Sequence, residues 1–118
     1  MAAFYRLDRI TIKPETDRGA FVDFVSGTLL PYFDKTYHPL TRVTIANLHG
    51  QSFLKSTENE NEYSWLTIWS GPGSAISDRS FREVLMIQKP ETDELLQRVD
   101  AFGERQTMAI WEAVVEPN

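Results

Sequence analysis

The chain has no cysteine. That excludes disulfides, thiolate metal centres and cysteine nucleophiles. It has two histidines, His38 and His49, and no carboxylate or third ligand stands at a spacing that would make a metal motif with them. Long apolar runs are missing too: none approaches the roughly 18 residues of a membrane span. No charged-then-apolar segment opens the chain, and these absences together predict a soluble, cytoplasmic protein. Basic charge is scarce. Twelve Lys and Arg against 17 Asp and Glu leave a net charge of −5, and without a basic run the chain is a poor candidate for nucleic acid or an anionic membrane surface. No linker or low-complexity stretch divides the 118 residues, so residues 1–118 are expected to form one domain around one core.

One pentapeptide occurs twice. Lys13-Pro14-Glu15-Thr16-Asp17 returns as Lys89-Pro90-Glu91-Thr92-Asp93. Each copy precedes a stretch of helical periodicity, and each such stretch is followed by a strand-like one. Two βαβ halves predict an α+β, ferredoxin-like βαββαβ sandwich, with a four-stranded antiparallel sheet and helices on one face. The same five residues also suit a helix start, since Thr or Asp caps and acids favour the positive end of the helix dipole. The architecture follows whether or not the repeat records a duplication.

Residues 3–13 read as a first strand ending at Pro14. Phe4, Arg6 and Asp8 share one face, Tyr5 and Leu7 the other, and Ile10 and Ile12 then change the parity of the apolar set. A β-bulge near Asp8-Arg9 would account for the change, as would a strand end exposed on both sides. Residues 16–33 carry Phe21, Phe24, Val25, Leu29 and Tyr32 at helical spacing. Pro31 is expected to end or kink that helix, leaving 31–39 as an aromatic connector. Residues 41–54 form a second strand with Asn47, His49 and Gln51 on one face and a bulge or close approach at Gly50. Ser56–Asn61 is a polar turn, and 62–70 a third strand with clean alternation. A short helix over 77–87, a helix over 91–102 and a last strand over 105–115 complete the order.

Alternation on the third strand places Tyr63, Trp65, Thr67 and Trp69 on one face and Leu66 and Ile68 on the other. The aliphatic set, with Met108 and Ile110, is expected beneath the helices. Trp65, Trp69 and Trp111 would then lie on the uncovered face, too apolar to leave in water. Burying that face against a second copy predicts a homodimer whose two sheets enclose a barrel with an interior cavity.

The element order, the chain length, and the Tyr63–Ser70 strand followed by a break and helices resemble the dimeric α/β-barrel superfamily. The antibiotic-biosynthesis-monooxygenase-like domains resemble the chain most, with Trp69-Ser70 at the end of the third strand as the local hallmark. The resemblance implies a cofactor-independent monooxygenase, needing neither metal nor flavin, that acts on a small aromatic or polyketide-like molecule. Haem-degrading members carry a histidine after the Trp strand and an asparagine on the first strand, and this chain has neither. Fold membership alone does not fix function. An isomerase or cyclase, or a non-catalytic ligand-binding or interaction protein on the same fold, remains as an alternative.

The candidate catalytic residues are His49, Asn47, Asp8 and Arg6. His49 suits a general base near neutral pH, with the competing reading of an exposed strand histidine. His38, between Tyr37 and Pro39, reads as a loop residue. Arg6 and Asp8 would polarise an oxyanion and accept a proton, or form a salt bridge at the sheet edge or dimer seam. Tyr63, Trp65, Trp69 and Trp111 would line a pocket for a planar aromatic molecule, or serve as interface core.

Overall fold

The computed structural model describes residues 3–37, 47–70 and 90–115. Four strands form one antiparallel sheet: β1 (Ala3–Ile12), β2 (Asn47–Lys55), β3 (Glu62–Ser70) and β4 (Gly103–Glu112), in the order β2-β3-β1-β4. This is the ferredoxin-like arrangement, with β1 and β3 central and β2 and β4 at the edges. The helical segments are α1 (Arg18–Phe24), a π-helical turn (Val25–Leu29), α2 (Leu30–Thr36) and α3 (Pro90–Phe102).

Among the described residues the helices cover one face of the sheet. Phe21, Phe24, Val25, Leu29, Phe33 and Tyr37 from the first helical run and Leu96 and Val99 from α3 share a core with sheet residues. Those sheet residues are Phe4, Ile10 and Ile12 of β1, Leu48 of β2, and Tyr63, Trp65 and Trp69 of β3. Register agrees, because directly opposed residues share a face. Phe4 stands opposite Trp69, Arg6 opposite Thr67, Asp8 opposite Trp65 and Ile10 opposite Tyr63. The expected orientation of β3 is therefore reversed. Trp65 and Trp69 lie under the helices, while Leu66 and Ile68 lie on the uncovered face with Tyr5, Leu7 and Trp111. Of the four aliphatics expected inward, Ile110 packs against the core, whereas Met108 is exposed. Alternation separates two faces but does not say which is covered; aromatic side chains from the helices decided it here.

The parity change on β1 also has a different cause. Phe4, Arg6, Asp8, Ile10 and Ile12 alternate without interruption on the covered face, so a polar pair simply stands within the apolar series. The bulge belongs to the partner strand. Leu7 opposes Ala109 and Asp8 opposes Thr107, which leaves Met108 of β4 as the extra residue.

Pro31 neither ends the helix nor starts a connector; the helical run continues to Thr36. Proline has no N–H to give to the preceding turn, and its ring crowds the carbonyl four residues back. The π-helical turn immediately before it, where the Leu30 N–H reaches Val25 O, widens the backbone at that place. The second strand is described from Asn47, and its bulge falls between Leu48 and Gly50 as Gly50 suggested. Residues 41–46, His38 and the helix expected over 77–87 lie outside the described residues.

The two pentapeptides act differently. In the first copy Asp17 caps α1, its Oδ1 accepting from Ala20 N at 3.1 Å. In the second, the helix already includes Pro90, and Thr92 is fully buried. Between α3 and β4 there is no loop: Phe102 ends the helix and Gly103 starts the strand. A side chain at Gly103 would meet Thr11 O at 2.1 Å and Ile12 Cα at 2.6 Å. The Phe102 carbonyl, left open at the helix end, accepts from Lys13 N (3.1 Å) and Thr16 Oγ1 (3.0 Å).

Candidate functional site

A polar cluster is built into the covered face of the sheet. Arg6 Nε donates to Asp8 Oδ2 at 3.0 Å, and Nη2 donates to Asp8 Oδ1 at 3.3 Å. Thr107 Oγ1 accepts from Arg6 Nη2 and donates to Asp8 Oδ1 at 2.7 Å. The extra residue at Met108 keeps Thr107 opposite Asp8, which closes this three-residue ring. The Arg6 and Asp8 side chains are 6% and 3% exposed. The pair therefore lies on a central strand of the sheet, beneath the helices, not at the sheet edge. In so dry a setting a charge pair is costly unless closely hydrogen-bonded, and the ring supplies those bonds.

Two tryptophans flank the cluster. Trp69 is fully buried, and its Nε1 donates to Thr67 Oγ1 at 2.6 Å. Trp65 donates to Gln51 Oε1 at 3.0 Å. The Gln51 amide in turn donates to Leu30 O (2.9 Å) and Asp34 Oδ1 (3.0 Å), tying edge strand β2 to α2. Phe33 and Tyr37 meet Trp65 and Trp69 edge-on, with ring centroids 5.0 and 5.9 Å apart. Such geometry suits the aromatic quadrupole.

A second network escaped the sequence reading. The Tyr32 and Tyr37 hydroxyls both meet Thr92 Oγ1, at 2.7 and 2.5 Å, joining α2 to α3. Burial pushes the Tyr37 phenol well above its ordinary range, the hydrogen bond to Thr92 opposing that shift. Tyr37 is thus a neutral hydrogen-bonding group. The only signal was the aromatic density of residues 31–39, set aside as a connector because of Pro31.

The eight residues singled out from the sequence do not form one site. Arg6, Asp8, Trp65 and Trp69 come together on the covered face, and Tyr63 joins them nearer the β2–β3 turn. Asn47 opposes Ser70, next to inward-facing Trp69, and so lies on the other side of the sheet. His49 is exposed in the bulge, its Nε2 2.6 Å from Ser70 Oγ. That bulge breaks the expected common face, since Gln51 opposes Thr67 on the covered side. Trp111 is 63% exposed on the uncovered face. Among the described residues no three His, Asp or Glu side chains gather as a metal set, and no helix is long and apolar enough to cross a membrane.

No family model matches the chain, and no curated protein matches it. Solved structures do. A variant of SnoaB, a cofactor-independent oxygenase from Streptomyces nogalater, superposes with a TM-score of 0.64 at 14% identity, covering 97% of this chain and 95% of that one. A candidate antibiotic biosynthesis monooxygenase from Bordetella bronchiseptica gives 0.62 at 16% identity, covering 98% and 100%. A conserved protein from Methanosarcina mazei gives 0.61 at 12%, covering 94% and 92%. The fold is theirs. It is the ferredoxin-like fold of antibiotic biosynthesis monooxygenase domains, in agreement with the resemblance drawn from the sequence; at these identities the likeness establishes architecture alone.

Proposed function

We propose that this chain is a cofactor-independent monooxygenase of a small aromatic or polyketide-like molecule. The observation that carries the reading is the Arg6–Asp8–Thr107 ring between Trp65 and Trp69, buried beneath the helices of a fold shared with a cofactor-independent oxygenase. Buried ionised groups are costly to keep, and function is a common reason for keeping them. In this reading Asp8 takes a proton from an acidic phenol or its activated ring carbon, and Arg6 holds the resulting anion. The electron-rich carbon adds dioxygen directly. The peroxide anion so formed takes the proton back from Asp8, and the hydroperoxide then loses the carbon's remaining hydrogen and its outer oxygen as water, which leaves the inner oxygen as a new carbonyl. The two tryptophans and Phe33 keep bulk water away from the anion. His49 and Asn47, on the other side of the sheet, are not assigned a part in this sequence of steps.

Two observations favour a second reading, a non-catalytic ligand-binding protein. The interior beside the cluster is occupied by the chain's own aromatic rings, and His49 faces solvent. Oxygen uptake by chelator-treated protein with dihydroxyanthrone-type phenols separates the two. The monooxygenase reading expects uptake by the native chain and a loss of about 10²–10⁴-fold in Asp8→Asn, with His49→Ala near the native rate. Tryptophan quenching by the phenol without any uptake would establish the binding protein instead. If His49→Ala is as inactive as Asp8→Asn, the base has been misassigned.

A further inference from the structure

We propose a second binding site, for a flat apolar anion of the aryl carboxylate class, in the groove between α1 and the β2–β3 hairpin. The groove is open to solvent, measures about 520 Å³ and is lined by Arg18, Gly19, Val22, Phe53, Lys55 and Tyr63. None of these belongs to the Arg6–Asp8–Thr107 ring. Lys55 opposes Tyr63 at the hairpin end of the sheet, whereas Arg6 opposes Thr67 further along it. The inference stands apart from the monooxygenase reading.

The floor is aromatic and firmly backed. Phe53 and Tyr63 stack with centroids 5.3 Å apart and planes 6° from parallel. Phe21 meets both edge-on, at 5.7 and 5.0 Å, from the core side. Gly19 adds no side chain to the opposite wall, and Val22 is 37% exposed there. A planar ring is the body that fits between such surfaces at least cost, because it buries area without freezing rotors.

The rim supplies the charge. Arg18 is held in place by Glu60 O and Asn61 Oδ1, with the Glu60 carboxylate 3.5 Å away. Lys55 is exposed, and its ammonium makes no hydrogen bond or ion pair with the described residues. In a chain of net charge −5, a cation that has no ion-pair partner among the described residues, beside an apolar concavity, is complementary to a ligand joining an apolar body to one negative group. With the Arg18 fork taken up by Glu60 and Asn61, the Lys55 ammonium is the group that a ligand carboxylate meets, by a charge-assisted hydrogen bond.

The test uses 2-naphthoate as probe, titrated into the isotopically labelled full chain and followed by amide chemical shifts. Saturable shifts are expected around residues 18–22, 53–55 and 63. The neutral isostere 2-naphthylmethanol, and naphthoate with the Lys55→Glu chain, should each bind more weakly by about tenfold or more. Lys55 is at the surface, so that variant keeps its fold, and its rate of oxygen uptake should equal the native rate. Absence of saturable shifts, equal binding of acid and alcohol, or full binding by Lys55→Glu overturns the proposal. Val22→Asp, which adds a like charge to the wall, should weaken naphthoate in the same way; unchanged binding would also reject the site.

Discussion

Arg6 and Asp8 occupy two successive positions of a strand face that otherwise carries Phe4, Ile10 and Ile12. Their presence was legible as a change in apolar parity along β1. What the pattern could not supply was Thr107, which stands about a hundred residues away and joins only through the β1–β4 register. Tyr37 was overlooked for a related reason: its partners, Tyr32 and Thr92, come from two helices. It carries a prediction of its own. Because burial raises the phenol's pKa in the fold, the unfolded chain ionises near the ordinary value of about 10 while the folded chain keeps its proton. The native state then binds more protons than the unfolded one, so stability is intact below about pH 10 and falls as pH rises above it. Urea unfolding midpoints between neutral pH and about pH 11 should show this decline, shallower in Tyr37→Phe. Parallel curves for the two proteins would mean that Tyr37 ionises as freely in the fold as outside it.

At the scale of elements, β3 was read at its true bounds because alternation runs unbroken through nine residues. The first helix runs past Pro31 although proline normally stops a helix, and nothing local in the sequence announces the π-helical turn that lets it continue. Alternation leaves the covered face open, and a preference of helices for aliphatics points to the wrong one. The helices themselves present Phe21, Phe24, Phe33 and Tyr37, and aromatic rings packed against aromatic rings. The junction of α3 and β4 gives an element-scale prediction. Gly103 sits so close to the β1 backbone that a methyl group would overlap Thr11 O and Ile12 Cα. Backbone cannot swing aside as a flexible side chain would, so Gly103→Ala should cost about 1–3 kcal/mol or more. Chemical denaturation checks it. A variant within a few tenths of a kcal/mol of native would show that the junction has slack that these distances deny. Gly27, with open space around it, is the natural control.

At the scale of the molecule, one face of the sheet carries no helix among the described residues. Tyr5, Leu7, Leu66 and Ile68 are half-buried there, and Trp111 is 63% exposed. Leu54 (51%) and Met108 (49%) add further exposed apolar surface nearby. A contiguous apolar surface of this kind is unusual on a monomer, and a second copy, meeting it with the same patch about a two-fold axis, is the simplest cover. Leu66, Ile68 and Trp111, rather than Trp65 and Trp69, are therefore the residues that a second copy would cover. The reversed orientation of β3 also relocates the proposed chemistry, from a cavity between two sheets to the layer between sheet and helices of each protomer. Light scattering on a sizing column should return about twice the 13.6 kDa chain mass. Ile68→Lys together with Trp111→Lys should shift it to the single-chain mass, since like charges would face each other across the axis, while helical circular dichroism stays native. Trp65 and Trp69 are core residues, so the double variant should keep their buried fluorescence. A native chain that elutes as a monomer at micromolar concentration would remove the barrel from this protein, leaving its sheet face for some other partner.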